Sequence, residues 1–169
     1  NWKESMSAYI THLTPMLEQD CLLAALADVG ISRQKVEVHA QPVALVGYEG
    51  QQRQQSAHLV IRRQHIGSAS NDLGFLFSPT GYKAIISDDD ERRFDAAWLS
   101  RLTDRYEVHA QAKLQRLAEE ERRKAEEARL RLIEAQKSAV YEKAKKLGYL
   151  VKESRQGDAV RLVLVKRSY

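Results

Sequence analysis

The chain has 169 residues and a mass of 19.3 kDa, 43% hydrophobic and 30% charged, which suits one ordinary domain with an appendage and excludes two large ones. No apolar run approaches the roughly 18 to 20 residues of a membrane-spanning helix, and Cys21 alone excludes an intrachain disulfide or a Cys-based zinc site. Asn1 to Ser7 lacks the basic-then-apolar build of a secretory leader, so a soluble cytoplasmic protein with no membrane partner is expected.

The net charge of +4 is unevenly placed. Residues 1–105 hold 11 Lys/Arg against 13 Asp/Glu, residues 106–147 hold 11 against 8, and residues 148–169 hold 5 against 2. A mildly basic C-terminal part suits nucleic acid or an acidic protein, and equally a solvated helix of mixed charge.

In chain order, Ala8 to Leu13 reads as a short strand. Thr14-Pro15 then opens a helix, with Thr14 as N-cap and Pro15 at the first helical position. Leu17, Cys21, Leu22, Ala25, Leu26 and Val29 form its apolar face and Gly30 stops it, so Cys21 reads as a core residue. Lys35 to Ala40 and Val43 to Tyr48 follow as strands, and Gln51 to Gln55 as a polar connection. Ala57 to Arg63 puts Leu59 and Ile61 on one face and His58, Val60 and Arg62 on the other. Leu73 to Phe77 and Tyr82 to Ile86 are two more strands, joined by the turn Ser78-Pro79-Thr80-Gly81. Short connections between successive strands predict a largely antiparallel sheet. Asp88 to Glu91 places negative charge where a helix begins, with Phe94, Ala97, Trp98 and Leu102 as its buried face.

Tyr106 to Leu147 has no Gly or Pro and is rich in the best helix formers. Glu119 with Arg123, Glu120 with Lys124 and Glu127 with Arg131 stand at i,i+4. Leu114, Ala118, Glu121, Ala125, Ala128, Leu132, Ala135 and Ala139 follow alternating 4-3 spacing, a heptad seam made mostly of alanine. So little apolar area predicts a weak coiled coil on a projecting helical arm, about 60 Å long at about 1.5 Å per residue. After Gly148, Tyr149 to Glu153 and Val160 to Lys166 form a hairpin whose last strand, apolar on both faces, is expected inside the sheet. The fold class is therefore α+β: a single domain over residues 6–169, a mainly antiparallel sheet packed by helices, with the arm at about 107–147 inserted before the hairpin.

The chemistry is sparse. His12, His39, His58, His65 and His109 are scattered without metal-ligand spacing, and Asp88-Asp89-Asp90 lacks the alternating ligands of a calcium loop. Phosphate loops, nucleophile elbows and Cys–His motifs are absent, so no catalytic residue, metal site or cofactor is assigned. Gly47-Tyr48-Glu49-Gly50 reads first as a hairpin turn and second as a ligand or partner loop. Asn71-Asp72 reads as a polar strand entry, or as a surface pair near that loop. Arg62-Arg63 suits phosphate or carboxylate, although neighbouring strand residues point to opposite faces. Partner- or ligand-binding candidates are thus Gly47, Tyr48, Gly50, Arg62, Asn71 and Asp72, and arm-interface candidates are Leu114, Ala118, Ala125, Ala128, Leu132 and Ala135.

The order of these segments carries a resemblance: Met6-Ser7-x-Tyr9-Ile10-Thr11, Leu22 to Gly30, Val46-Gly47-Tyr48-x-Gly50, Ala57 to Ile61, Asn71-Asp72-Leu73-Gly74-Phe75, Tyr82 to Asp88, Trp98-Leu99-x-x-Leu102, Tyr106, Gly148 to Val151 and Val160 to Leu164. It resembles the conserved hypothetical reading-frame family of chloroplasts and cyanobacteria (Ycf thirty-five-like), a domain of unknown function. The likeness runs over nearly the whole chain from Met6, which leaves Asn1 to Ser5 outside the domain. It departs where roughly 25 additional residues lengthen the helix after Tyr106. The resemblance implies a compact intracellular accessory domain and supplies no catalytic residue. Three readings follow: an interaction protein whose arm binds a protein partner or a second copy, a nucleic-acid-associated protein using the basic C-terminal part, and a small-ligand enzyme with a site near Gly47–Gly50 and Asn71-Asp72.

Overall fold

Alternating apolar residues build five strands that join into one sheet: β1 (Tyr9–Leu13), β2 (Val36–Val46), β3 (Gln52–Ile61), β4 (Leu73–Leu76) and β5 (Lys83–Ser87). The computed structural model describes residues 8–166, so the expectation for Asn1 to Ser5 lies outside the described residues. The strand order is β1-β5-β4-β3-β2, and every pairing is antiparallel. Two helices, α1 (Gln19–Asp28) and α2 (Ala96–Leu147), and a hairpin of β6 (Tyr149–Gln156) and β7 (Ala159–Lys166) complete an α+β fold. No described helix is long and apolar enough to cross a membrane. The chain forms two compact units that divide between Leu114 and Gln115.

In the first unit, one apolar cluster gathers Leu22, Ala25 and Leu26 of α1, Leu59, Ile61, Phe75 and Ile86 of the sheet, and Trp98, Leu102 and Tyr106 of α2. Cys21 is buried with them, as expected of a core residue. A smaller cluster gathers Leu45, Ala57, Val60 and Ile85. The predicted split of β3 is correct, since Leu59 and Ile61 belong to one cluster and Val60 to the other.

Several local expectations give way to tertiary partners. Thr14 does not cap a helix: its hydroxyl donates to the Tyr82 carbonyl at 2.5 Å, and Tyr82 N–H bonds the Met16 carbonyl at 2.6 Å. Residues 14–16 thereby continue the path of β1, and α1 begins only at Gln19. A Cβ on Gly81 would stand 2.0 Å from the Thr14 carbonyl oxygen, so the close approach requires glycine there. At its other end α1 stops as predicted, with Gly30 at φ 101° and Ile31 N–H reaching back to the Leu26 carbonyl at 2.8 Å.

The two runs expected on either side of Pro42 are one strand, β2, with a register shift between Val38 and Val43. As an edge strand, β2 tolerates a residue that cannot donate to the ladder. Gln52 to Gln55, expected as a connection, already belongs to β3. Asp88 to Asp90 forms a single 3-10 turn, and Asp95 caps α2 instead, accepting from Trp98 N–H at 2.8 Å. Ala97 is exposed, not part of the buried face.

The second unit contains α2 from Gln115 onward and the β6–β7 hairpin. Here β7 is not inside the main sheet as expected, since it pairs only with β6 in a separate two-stranded sheet. Hairpin and helix meet where Lys137 Nζ lies 2.6 Å from Glu153 and where Ala144 is buried.

Candidate functional site

The Gly47–Gly50 segment is a hairpin turn, with Gly50 N–H donating to the Gly47 carbonyl at 2.9 Å and Gly50 at φ 83°. Asn71 and Asp72 meet it directly. Tyr48 N–H donates to Asn71 Oδ1 at 3.0 Å, and Val46 N–H to Asp72 Oδ2 at 2.8 Å. Sequence spacing thus named residues that the fold brings together. They are not a surface pair, however, because Asn71 is 0% and Asp72 1% exposed.

A buried carboxylate persists only with donors around it. The Asp72 carboxylate has three: besides Val46 N–H, it accepts from Arg63 N–H at 2.9 Å, and Arg62 Nη1 lies 2.7 Å from Oδ2; Tyr9 OH donates to the Asp72 backbone carbonyl at 2.7 Å. Arg62 also clamps Glu37 with two bonds of 2.7 and 3.0 Å, and His39 Nε2 lies 2.8 Å from the same carboxylate. The expected opposition of Arg62 and Arg63 does not apply, because β3 ends at Ile61. Arg63 instead donates Nη1 to the Tyr48 carbonyl at 2.5 Å. Asn71 anchors the other side, its N–H on Asp90 at 3.0 Å and its Nδ2 on Ser87 at 3.0 Å.

Electrostatics follow the contacts. The Arg62 hydrogen bond, the largest influence, holds the Glu37 carboxyl below its usual range, and Glu37 in turn raises Arg62. Burial, then the Asp72 charge, pushes the Tyr9 hydroxyl up. Glu37, His39, Ser87, Asp90 and Tyr9 were missed because no motif or local spacing ties them to the Asn71-Asp72 dipeptide, which only the folded sheet brings to them. The arrangement binds the β2–β3 turn, the end of β3 and the start of β4 into one lock, and its donors and acceptors face one another.

Other titratable groups are also engaged, whereas His12 Nε2 is buried without a hydrogen-bond partner. Asp28, at the end of α1, accepts from His109 Nε2 at 2.7 Å and Arg105 Nε at 2.8 Å, which holds its carboxyl below the usual aspartate range. Phe77 N–H donates to His58 Nδ1 at 3.0 Å. Among the described residues no group of three or more His, Cys, Asp or Glu side chains is placed to hold a metal ion. A dimple of about 330 Å³ lies over Ile61, Ile66, Phe94 and Trp98, with His65 and Arg93 at its border.

The helical candidates present a different surface. Ala118, Ala125, Ala128, Leu132 and Ala135 are all exposed, as is Leu114 in the first unit. Leu132 keeps 59% of its surface in solvent. Ile133, Lys137, Val140 and Ala144, the positions less open to water, lie on the other side of the helix and follow the hairpin. The seam is flanked at its e positions by Arg122 and Arg129 and at its g positions by Lys124 and Arg131. Glu119, Glu120, Glu126, Glu127 and Glu134 fall outside the seam and its flanks, leaving Glu121 as the one acid on that side. Of the expected i,i+4 pairs only Glu120 with Lys124 forms, at 3.5 Å, while Arg123 reaches Glu127 at 2.8 Å, and Glu119 pairs with Arg122 and Glu126 with Arg129.

Comparisons with protein-family models, curated proteins and solved structures return no match for this chain.

Proposed function

We propose that this chain is a non-enzymatic interaction protein whose helical segment docks onto a protein partner. The observation that carries the reading is the uncovered seam on α2, apolar along its middle and cationic on both flanks. The flanks also select the partner. In parallel self-pairing Lys124 would face Arg129, and in antiparallel self-pairing e meets e and g meets g, again cation against cation. A helix with an apolar stripe between acidic flanks has the matching charge. Such a role agrees with the family resemblance, which carries no catalytic residue.

The test is capture from native lysate by the tagged full chain, set beside a variant carrying Arg122→Glu, Lys124→Glu and Arg129→Glu, each with and without nuclease. A near-stoichiometric protein that survives nuclease and is lost with the variant is the expected result. Equal capture by both chains overturns the reading. Signal that disappears with nuclease replaces the protein partner with nucleic acid, whose binding falls steeply with salt.

A further inference from the structure

The two sheets have four open strand edges, and three are guarded. An open edge offers unpaired N–H and C=O groups to another chain unless it is short, charged or interrupted. β1 has five residues, β2 carries Pro42 and a register shift, and β6 carries Lys152, Glu153 and Arg155 along its middle. β7, Ala159-Val160-Arg161-Leu162-Val163-Leu164-Val165-Lys166, is the least guarded: it has eight residues, no proline or register shift, and charge only at Arg161 and Lys166. Its side chains are mostly apolar, and Val163 keeps 42% and Leu164 48% of their surfaces in solvent beside that open backbone edge. A two-stranded hairpin persists in water only with further strands or a helix packed against it, and here α2 covers one face.

We infer that β7 pairs antiparallel with β7 of a second copy, making a four-stranded sheet β6-β7-β7-β6 across a two-fold axis. The sequence selects the register. With the axis through Leu162, Val160 stands opposite the second copy's Leu164, Arg161 opposite its Val163 and Ala159 opposite its Val165. Asp158 and the second copy's Lys166 then form an ion pair at each end. Moving the axis to Arg161 sets two arginines face to face, and moving it to Val163 leaves Asp158 and Lys166 without opposite charges. The axis is perpendicular to the sheet, so the apolar row of Val160, Leu162 and Leu164 continues on one face across both copies. This surface is separate from the helical seam, and it rests on the reading that the second unit is an association module.

The experiment uses the full chain. Light scattering over a dilution series is expected to show a dimer that dissociates on dilution. Asp158→Lys weakens it about tenfold, and Asp158→Lys with Lys166→Asp restores it. Both positions are exposed, so these variants keep the fold. Leu162→Cys is expected to give a disulfide-linked dimer on oxidation, since directly opposed strand residues have the Cα separation a disulfide needs, while Arg161→Cys, out of register with its own copy, stays unlinked. A monomer at every concentration overturns the inference, as does a dimer indifferent to Asp158→Lys or one without the Leu162→Cys cross-link. The triple charge reversal on α2 is expected to leave the cross-link intact, so failure of the partner reading and failure of this one remain distinct.

Discussion

The two units keep their elements by opposite means. In the first, sheet and helices share a cluster that buries Leu22, Leu26, Phe75 and Leu102 completely, and even its buried polar side chains are enclosed by donors. In the second, Ala144 is the single buried residue among those described. That half is held by helix propensity, a hairpin ladder and ion pairs open to water, each contributing little. The contrast sets a unit with an enclosed core against one whose apolar side chains stay largely in solvent.

The largest test of the contrast is Asp72→Ala. It leaves Arg62 and two backbone N–H groups facing a void, and should cost the first unit about 3–5 kcal/mol in urea unfolding. A loss below about 1 kcal/mol would mean that water replaces the carboxylate and the lock is peripheral. Next, Leu102→Ala should cost roughly 2–5 kcal/mol, while Ile133→Ala in the second unit should cost under about 1 kcal/mol. Equal effects would erase the distinction.

A smaller effect concerns acid. Because Glu37 is held below its ordinary value of 4.5, its bond to Arg62 supports the fold above that pH, and the support fades as pH falls through the lowered value. Glu37→Gln should therefore flatten the acid limb of a stability-against-pH curve for the first unit, and an unchanged slope would assign that limb to other carboxylates. Smallest is Glu153→Gln, which removes the nearer carboxylate from Lys137 and leaves Glu134 at 3.5 Å. It should speed amide exchange in the hairpin slightly and leave β3 and β4 untouched.

How much of this was legible in the sequence depended on how far away the deciding partner lies. The strands of the first sheet follow from alternation among near neighbours, and α1 stops at Gly30 through bonds that Gly30 and Ile31 make to residues three and five positions back. Thr14 was misread as a cap because Tyr82, 68 residues later, takes its hydroxyl. Asn71-Asp72 looked like a surface pair because polar dipeptides usually face water, and the guanidinium and amides that make burial tolerable come from the end of β2, the turn after it and the residues just past β3. β7 was placed inside the sheet on its composition. The structure puts it at an edge, paired with β6 alone, because apolar faces report covering layers and not sheet neighbours.

The hydroxyl of Tyr106 accepts from both Leu17 N–H and Glu18 N–H, each at 2.9 Å. The entry to α1 is thus set by a residue 89 positions further along the chain. On a ribosome adding about 5–20 residues per second, the first helix waits roughly 4 to 18 seconds for that hydroxyl to be made. β1 waits in the same way for β5, its one strand neighbour in the sheet. The beginning of the chain is therefore among the last parts of the first unit to settle, and a nascent chain stalled before Tyr106 should keep its opening segment open to chaperones and proteases.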